Sequence, residues 1–445
     1  MTPAEQEERR EKPPKRDGDP RQYYDRDYAR IIHSASFRRL QGKTQIYNIG
    51  ESDFYRTRLT HSIEVSQIGQ GIVQYLDKYI EGKAHNDCPQ DMPKQILPPE
   101  KLVAAIGLTH DLGHPPFGHG GGEIALNYCM RNDGGFEGNG QTLRILTKLE
   151  SFTKNAGANL ARRTLLGCLK YPVSYERANR HKPELCSPSA ESFPFLIDRN
   201  QQPPKCYFDS EGDSVQWILE PLTEKDKKEF QALGDNQKAK YCSFDCSIMN
   251  LADDISYGVH DLEDAIKLEL IRKEDLEEGF EKRRGEGLIK DSKEKECFEK
   301  KVNDLFGENR KDCIGRVVNN LLRGIYIKET GFPFEEPLLK YEASLREADS
   351  RFLDCLKKIV REKVIHSPNV QHFEFKGQRM IIEVFEILNS DPGKFLPVDF
   401  RKRLGCGEPQ KRVICDYIAG MTDGYLLKTY ERLSSPRMGS VFERI

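Results

Sequence analysis

Apolar residues recur along most of the chain with the 3.6-residue period of an amphipathic helix. In "HSIEVSQIGQGIVQYL" (61–76), Val65, Ile68 and Ile72 share a face with His61, at spacings i, i+4, i+7 and i+11. "KLVAAIGLTH" (101–110) repeats the arrangement with Val103, Ile106 and His110. "LADDISYGVHDLEDAI" (251–266) sets Leu251, Ile255, Leu262 and Ile266 on one side and Asp253, Tyr257, Asp261 and Asp264 on the other. The last third continues the period in "RFLDCLKKIVREKVI" and "GQRMIIEVFEIL". A mainly α fold follows. Residues 172–210, rich in Pro, Ser and Asn, break the period and predict a long loop or insertion. Residues 274–301 alternate charges and predict a solvated helix surface. Residues 1–22, charged and without an apolar centre, predict a poorly ordered, solvated tail.

Composition narrows the class of protein. A chain of 445 residues suits one large domain or two or three smaller ones. Charged residues make up 31%, yet the formal net charge is only -2, so no global field draws the protein to nucleic acid. No apolar run reaches the ~20 residues of a membrane span, and the N-terminus does not read as a secretory signal. The twelve cysteines are scattered without a C-x-x-C, the nearest pair being Cys242 and Cys246. They predict reduced thiols in a cytoplasmic protein.

The segment "HDLGHPPFGHGGGE" (110–123) concentrates three of the ten histidines with an aspartate and a glutamate. Adjacent His110 and Asp111 would diverge by about 100° inside a regular helix. Here Gly113 and the Pro115–Pro116 pair stop the helix, so both side chains can aim at one point. A divalent cation needs a few rigid N or O donors with a position left for water or substrate. His61, the His110–Asp111 pair and the acidic face beginning "ADD" offer such donors.

Taken in order, "HSASFRRLQGKTQIY" (33–47), "RTRLTHSIEVSQIG" (56–69), "HDLGHPPFGHGGGE", "FEGNGQTLRIL" (136–146), "NLADDISYGVHDLEDA" (250–265) and "CDYIAGMTDGY" (415–425) resemble the dGTP triphosphohydrolase family, type 2, of the HD-domain phosphohydrolases. The matches run from about residue 23 to 434. The resemblance implies an HD-domain helical bundle with additional helices. It places an HD catalytic core over 23–270, with the insertion at about 172–210, and a helical C-terminal region over 271–445 that completes the pocket. It also assigns His61, His110, Asp111 and one aspartate of the "ADD" as metal ligands, with Mg²⁺ or Mn²⁺ favoured. Asp253 is that aspartate, because the family's ligand precedes by four and eight residues a tyrosine and an aspartate of the nucleotide pocket, here Tyr257 and Asp261. The same spacing keeps all three on one helix face.

The reaction so implied yields deoxynucleoside and inorganic triphosphate from a deoxynucleoside triphosphate. His119 corresponds to the family's proton donor, and its orienting carboxylate normally follows at i+3. Here "HGGGE" carries one glycine more, so Glu123 falls at i+4. His114 is given a phosphate contact by the resemblance, with a hydrogen bond closing the turn as the alternative. Arg58 matches a phosphate-side arginine, with Arg38, Arg39 and Lys43 close in sequence to the nucleotide segment. Gln45 matches the residue that binds the sugar, Asp261 the acceptor for the 3′ hydroxyl, and Tyr257 the ring that excludes a 2′ hydroxyl. Gly138 and Gly424 depart from a frequent histidine and arginine, which leaves Asp423 as the pocket residue. The family also implies a homo-oligomer, hexameric in many members, and a second nucleotide as activator. Two other readings use the same residues: an HD phosphodiesterase or nuclease acting on single-stranded DNA or a cyclic nucleotide, and a nucleotide sensor whose catalysis the extra glycine has abolished.

Overall fold

The computed structural model describes residues 1–12, 18–45, 56–81, 89, 91–179, 202–235 and 237–434. Helices dominate, as the periodicity predicts. Among the described residues the strands are Ile325–Glu329 and Tyr341–Leu345, an antiparallel pair in which Ile325 faces Leu345. No described helix is long and apolar enough to cross a membrane. The ten described cysteines are all free thiols.

The chain divides into two compact units, each built from segments distant in sequence. The first comprises 1–60, 109–241 and 372–445, and the second 61–108 and 242–371. The reason is physical: an amphipathic face is buried against whichever complementary face the chain offers, however far away in sequence. In the first unit Phe117, Leu126 and Phe136 pack in one cluster with Met380, Phe385, Val413 and Leu426. Each fully buried side chain of this kind contributes roughly 1.5–3 kcal/mol.

In the second unit Val65, Ile68 and Ile72 of the Arg58–Glu81 helix are buried, as are Val103 and Ile106 of the Glu100–Thr109 helix. A Cβ at Gly107 would lie 2.8 Å from Ser66 Cα, so these two helices touch backbone to backbone, and only glycine permits it. The Phe244–Lys267 helix starts at Ser243, whose hydroxyl caps Cys246 N–H. On its acidic side Asp261 and Asp264 are buried, as Ile255 and Leu262 are on the apolar one. The helix packs against the Glu347–Val360 helix and the second strand, and Ser247 Oγ accepts a hydrogen bond of 2.9 Å from Ala343 N–H. Residues 274–301 contribute to two helices that bury Phe280 and Phe298, and although most of their charged side chains are at least partly exposed, Arg283 is buried with them.

Two irregular segments are more tightly held than their composition predicts. Residues 1–12 are not a loose tail: Pro3–Glu7 is a capped helical turn, and Arg9 is buried with its guanidinium on Asp27 and on the Asn159 carbonyl. Arg9 thus meets a buried partner instead of solvent. Within 172–210, residues 180–201 lie outside the described part. The flanks are pinned together, because Tyr207 N–H donates to Val173 O at 2.9 Å and Tyr175 N–H donates to Tyr207 O at 2.8 Å.

A buried ionic network fixes the Gly138–Arg144 helix. Arg144 bonds Asp416 and Glu211, and Asp416 also accepts from Gln141 Nε2 at 3.1 Å. Burial raises the Asp416 pKa, but Arg144 and then Arg403 outweigh it and hold the carboxyl below its usual range. A folded pKa below the unfolded one contributes stability above the unfolded value and loses it as pH falls toward the folded one. The stability curve of the wild type should therefore fall below about pH 4, and Asp416→Asn should flatten that limb in denaturant titrations. Arg9→Ala leaves Asp27 buried without its cation and should cost about 3–5 kcal/mol in the same titrations.

Candidate active site

Each unit contributes its own constellation. In the first, His110 and Asp111 occupy the turn that follows Thr109. That turn is pressed against the Gly138–Arg144 helix: Gly113 N–H donates to Thr142 Oγ1 at 2.9 Å, and a Cβ on Gly113 would sit 2.0 Å from Gly138 O. The two prolines then lead to Phe117 and Gly118, both at positive φ (61° and 60°), which swing His119 back toward His114.

Asp111 is the electrostatic centre of this turn. Arg58 Nη1 lies 2.8 Å from its Oδ2, and His114 Nδ1 lies 2.9 Å from its Oδ1. Burial alone would raise its pKa, but His114, His110 and Arg58 together hold it well below the ordinary carboxylate range. Burial pushes the His114 imidazole down to about 3 against the opposing pull of Asp111. His114 is thus neutral at physiological pH. Its Nδ1 lies beside the Asp111 carboxylate.

The His114 ring faces His119. The two Nε2 atoms are 2.9 Å apart, and His119 Nδ1 contacts Glu123 Oε2. Glu123 is 0% exposed and His119 is 53% exposed, so a buried carboxylate supports an accessible imidazole. The extra glycine of "HGGGE" is absorbed by a π-helical turn over His119–Glu123, with Glu123 N–H bonded to Gly118 O at 3.0 Å. A π turn lodges one more residue than an α turn without moving its ends apart. Glu123 and His119 meet across it.

Several candidates for the nucleotide pocket also belong to this unit. Asp423 is buried and accepts from Thr44 N–H at 2.9 Å, from Thr44 Oγ1 and from Phe117 N–H at 3.0 Å. It ties the segment bearing Gln45 to the histidine turn. Lys43 is buried between the carbonyls of His114 and Ala419, and burial drives its pKa down to about 7 despite Asp423. Beside it, Gln45 Oε1 is buried and has no hydrogen-bond partner among the described residues. Buried acceptors in native proteins are normally satisfied, so an orphan of this kind calls for a ligand donor.

The second unit holds His61, Asp253, Tyr257 and Asp261. His61 Nε2 lies 3.1 Å from Asp253 Oδ1, and its Nδ1 lies 3.3 Å from Ser256 Oγ. Tyr257 is pushed well above the usual phenol range by burial and then by Asp261. Asp254 turns aside to Lys357 at 3.0 Å. The donor sets suit a divalent cation: imidazole nitrogen and carboxylate oxygen in each unit, with Asp111 held ionised and His61 meeting Ser256 through Nδ1 and Asp253 through Nε2. His114, His119 and Glu123 also place ligand atoms within 4.8 Å of one another.

Sequence reasoning missed Lys205. Its Nζ lies 2.8 Å from Glu137 Oε1 and 3.3 Å from Glu123 Oε1. It follows a Pro-Pro pair in the aperiodic insertion, where no pattern points to chemistry. Ser256 was likewise passed over, although its spacing of three from Asp253 places it near the same face.

A mainly helical chain with an adjacent His–Asp pair at a helix end belongs to the HD phosphohydrolase class. The Phosphohydrolase-associated domain matches residues 346–432. A deoxyguanosinetriphosphate triphosphohydrolase-like protein of Aliivibrio fischeri (strain MJ11) is 44% identical over 449 residues, covering 95% of each chain. Proteins of the same name from Shewanella halifaxensis (44% over 441 residues, 96% of this chain and 95% of the relative) and Shewanella baltica (42% over 462 residues, 98% of each) are similar throughout. The chain belongs to this deoxyguanosinetriphosphate triphosphohydrolase-like family.

The π turn generates a test. A Cβ on Gly122 would meet Pro116 O at 2.0 Å, whereas one on Gly120 would meet only the end of the flexible Glu374 side chain. Gly122→Ala should lower stability by about 1–3 kcal/mol in thermal unfolding, and Gly120→Ala by clearly less.

Proposed function

We propose that the protein hydrolyses deoxynucleoside triphosphates, dGTP among them, to deoxynucleoside and inorganic triphosphate. The observation that carries the reading is the setting of His119: its ring is accessible, its Nδ1 meets the buried carboxylate of Glu123, and its Nε2 lies 2.9 Å from that of His114. A histidine so placed can deliver a proton from Nε2. Cleavage of the bond between Pα and O5′ leaves a strongly basic alkoxide, and a donor beside it contributes about 10² to 10⁴ in rate.

His61, His110, Asp111 and Asp253 would hold one divalent cation, Mg²⁺ or Mn²⁺. Such a cation supplies Lewis acidity, acidifying the attacking water and drawing charge from a phosphate oxygen. Arg58 keeps Asp111 ionised for that purpose. Ser256 holds His61 with its Nε2 lone pair outward. Gln45 offers its unsatisfied acceptor to a sugar hydroxyl, Asp261 accepts from the 3′ hydroxyl, and Tyr257 fills the volume that a 2′ hydroxyl would need. The sensor alternative supposed a misaligned dyad, and the contact between His119 and Glu123 argues against that premise. The family resemblance carries with it the expectation of a homo-oligomer with a second activating nucleotide.

Each of the four dNTPs, incubated with Mg²⁺ or Mn²⁺ and resolved by chromatography, should give free triphosphate and the matching deoxynucleoside, and chelation should stop the reaction. His119→Ala and Asp253→Ala should each lower kcat at least ~10²-fold. Pyrophosphate and a monophosphate as products, or cleavage of single-stranded DNA in place of dNTPs, would overturn the reading.

A further inference from the structure

We propose that Lys205 is a positioning residue for the proton donor: it holds Glu123 in place as the acceptor for His119 Nδ1–H. The inference rests on the reading of His119 given above and deepens it. Three groups satisfy the Glu123 carboxylate. Oε2 takes His119, while Oε1 takes Gly138 N–H at 3.0 Å and Lys205 Nζ at 3.3 Å. Glu137, also buried, binds the same ammonium at 2.8 Å and spends its remaining contacts on Asn139 Nδ2 and on Gly140 N–H, which it caps. Two buried carboxylates therefore bracket one cation, and two carboxylates sharing a buried site do not both stay ionised without one.

Burial works against the charged form of Glu123, and Lys205 is the largest influence opposing it, ahead of His119. Lys205 itself is raised by Glu123 and Glu137 against burial. Its backbone is fixed as well. Cys206 and Phe208 are buried against Gly140 of the Gly138–Arg144 helix, where a Cβ would meet Cys206 O at 3.1 Å. The adjoining Tyr207 is bonded to Val173 and Tyr175. A lysine meant to reach a mobile anion would not need this anchoring. One that steers a carboxylate does, because a protonated or rotated Glu123 would be a poorer acceptor for His119 Nδ1–H and would hold the ring less firmly.

The test is a double-mutant cycle on nucleotide hydrolysis. Lys205→Met should lower kcat about 10- to 100-fold with KM changed less than about threefold, and Lys205→Arg should recover most of the loss. In a Glu123→Gln background Lys205→Met should add less than about twofold, because its effect runs through the missing carboxylate. If Lys205→Met does not fold, Lys205→Met with Glu137→Gln keeps the buried net charge of the wild type and should show the same loss of kcat. A second readout needs no turnover: the hydrogen-bonded Nδ1 proton of His119, assigned by its disappearance in His119→Ala, should shift or vanish in the nuclear magnetic resonance spectrum of Lys205→Met. A raised KM with unchanged kcat, additive losses with Glu123→Gln, or an unaltered Nδ1 resonance would overturn the inference. Absence of free triphosphate from the wild type would instead sink the proposed reaction and leave the resonance to judge Lys205.

Discussion

The ionised state of Asp111 is the constraint on which the first unit's chemistry depends. It sits where solvent cannot stabilise it, so the surrounding cation and imidazoles must. Arg58 supplies the charge, and His114 Nδ1 stands 2.9 Å from the other carboxylate oxygen. From His114 the contacts run on to His119 through the pair of facing Nε2 atoms, and from His119 to Glu123 with Lys205 behind it. A buried carboxylate thus stands at each end of a pair of imidazoles.

The backbone is arranged to make this alignment stiff. Gly113 and Gly122 sit where any side chain would strike main-chain oxygen, and Asp423 and Lys43 pin the same loop through its amides and carbonyls. The π turn deserves comparison with the sequence signature it replaces. An extra residue in a helix moves every later side chain by about 100°, which ordinarily would part an i, i+4 pair from the rest of the site. Confining the extra residue to one wide turn of glycines keeps Glu123 beneath His119 and returns the chain to regular helix at Ile124.

Helical character was legible because burial repeats with the helical period, and the His61, Val65, Ile68, Ile72 stripe shows it plainly. The family and the candidate ligands were legible because motifs that carry chemistry are local. What the sequence did not reveal were the long-range pairings. Arg9 looks like one more charge in a polar tail until Asp27 and Asn159 are placed around it. Lys205 sits in a segment without periodicity, and its partners lie 68 and 82 residues away. On the Phe244–Lys267 helix the pattern separates the acidic side from the apolar one, but it does not tell that Asp261 and Asp264 are buried, because one-dimensional patterning cannot count the neighbours that cover them. The same reason explains the interleaved units, which no linker composition announces.

That interleaving governs how the molecule can be made. Phe136 is synthesised roughly 240 residues before Met380, its companion in the same cluster, and a ribosome needs on the order of 10–50 s to cover the distance. For that interval the nascent chain carries half an apolar core with nothing to close it. Chaperone demand during translation is thus written into the order of the segments, and splitting the gene at a unit boundary would not yield an autonomous piece of the first unit.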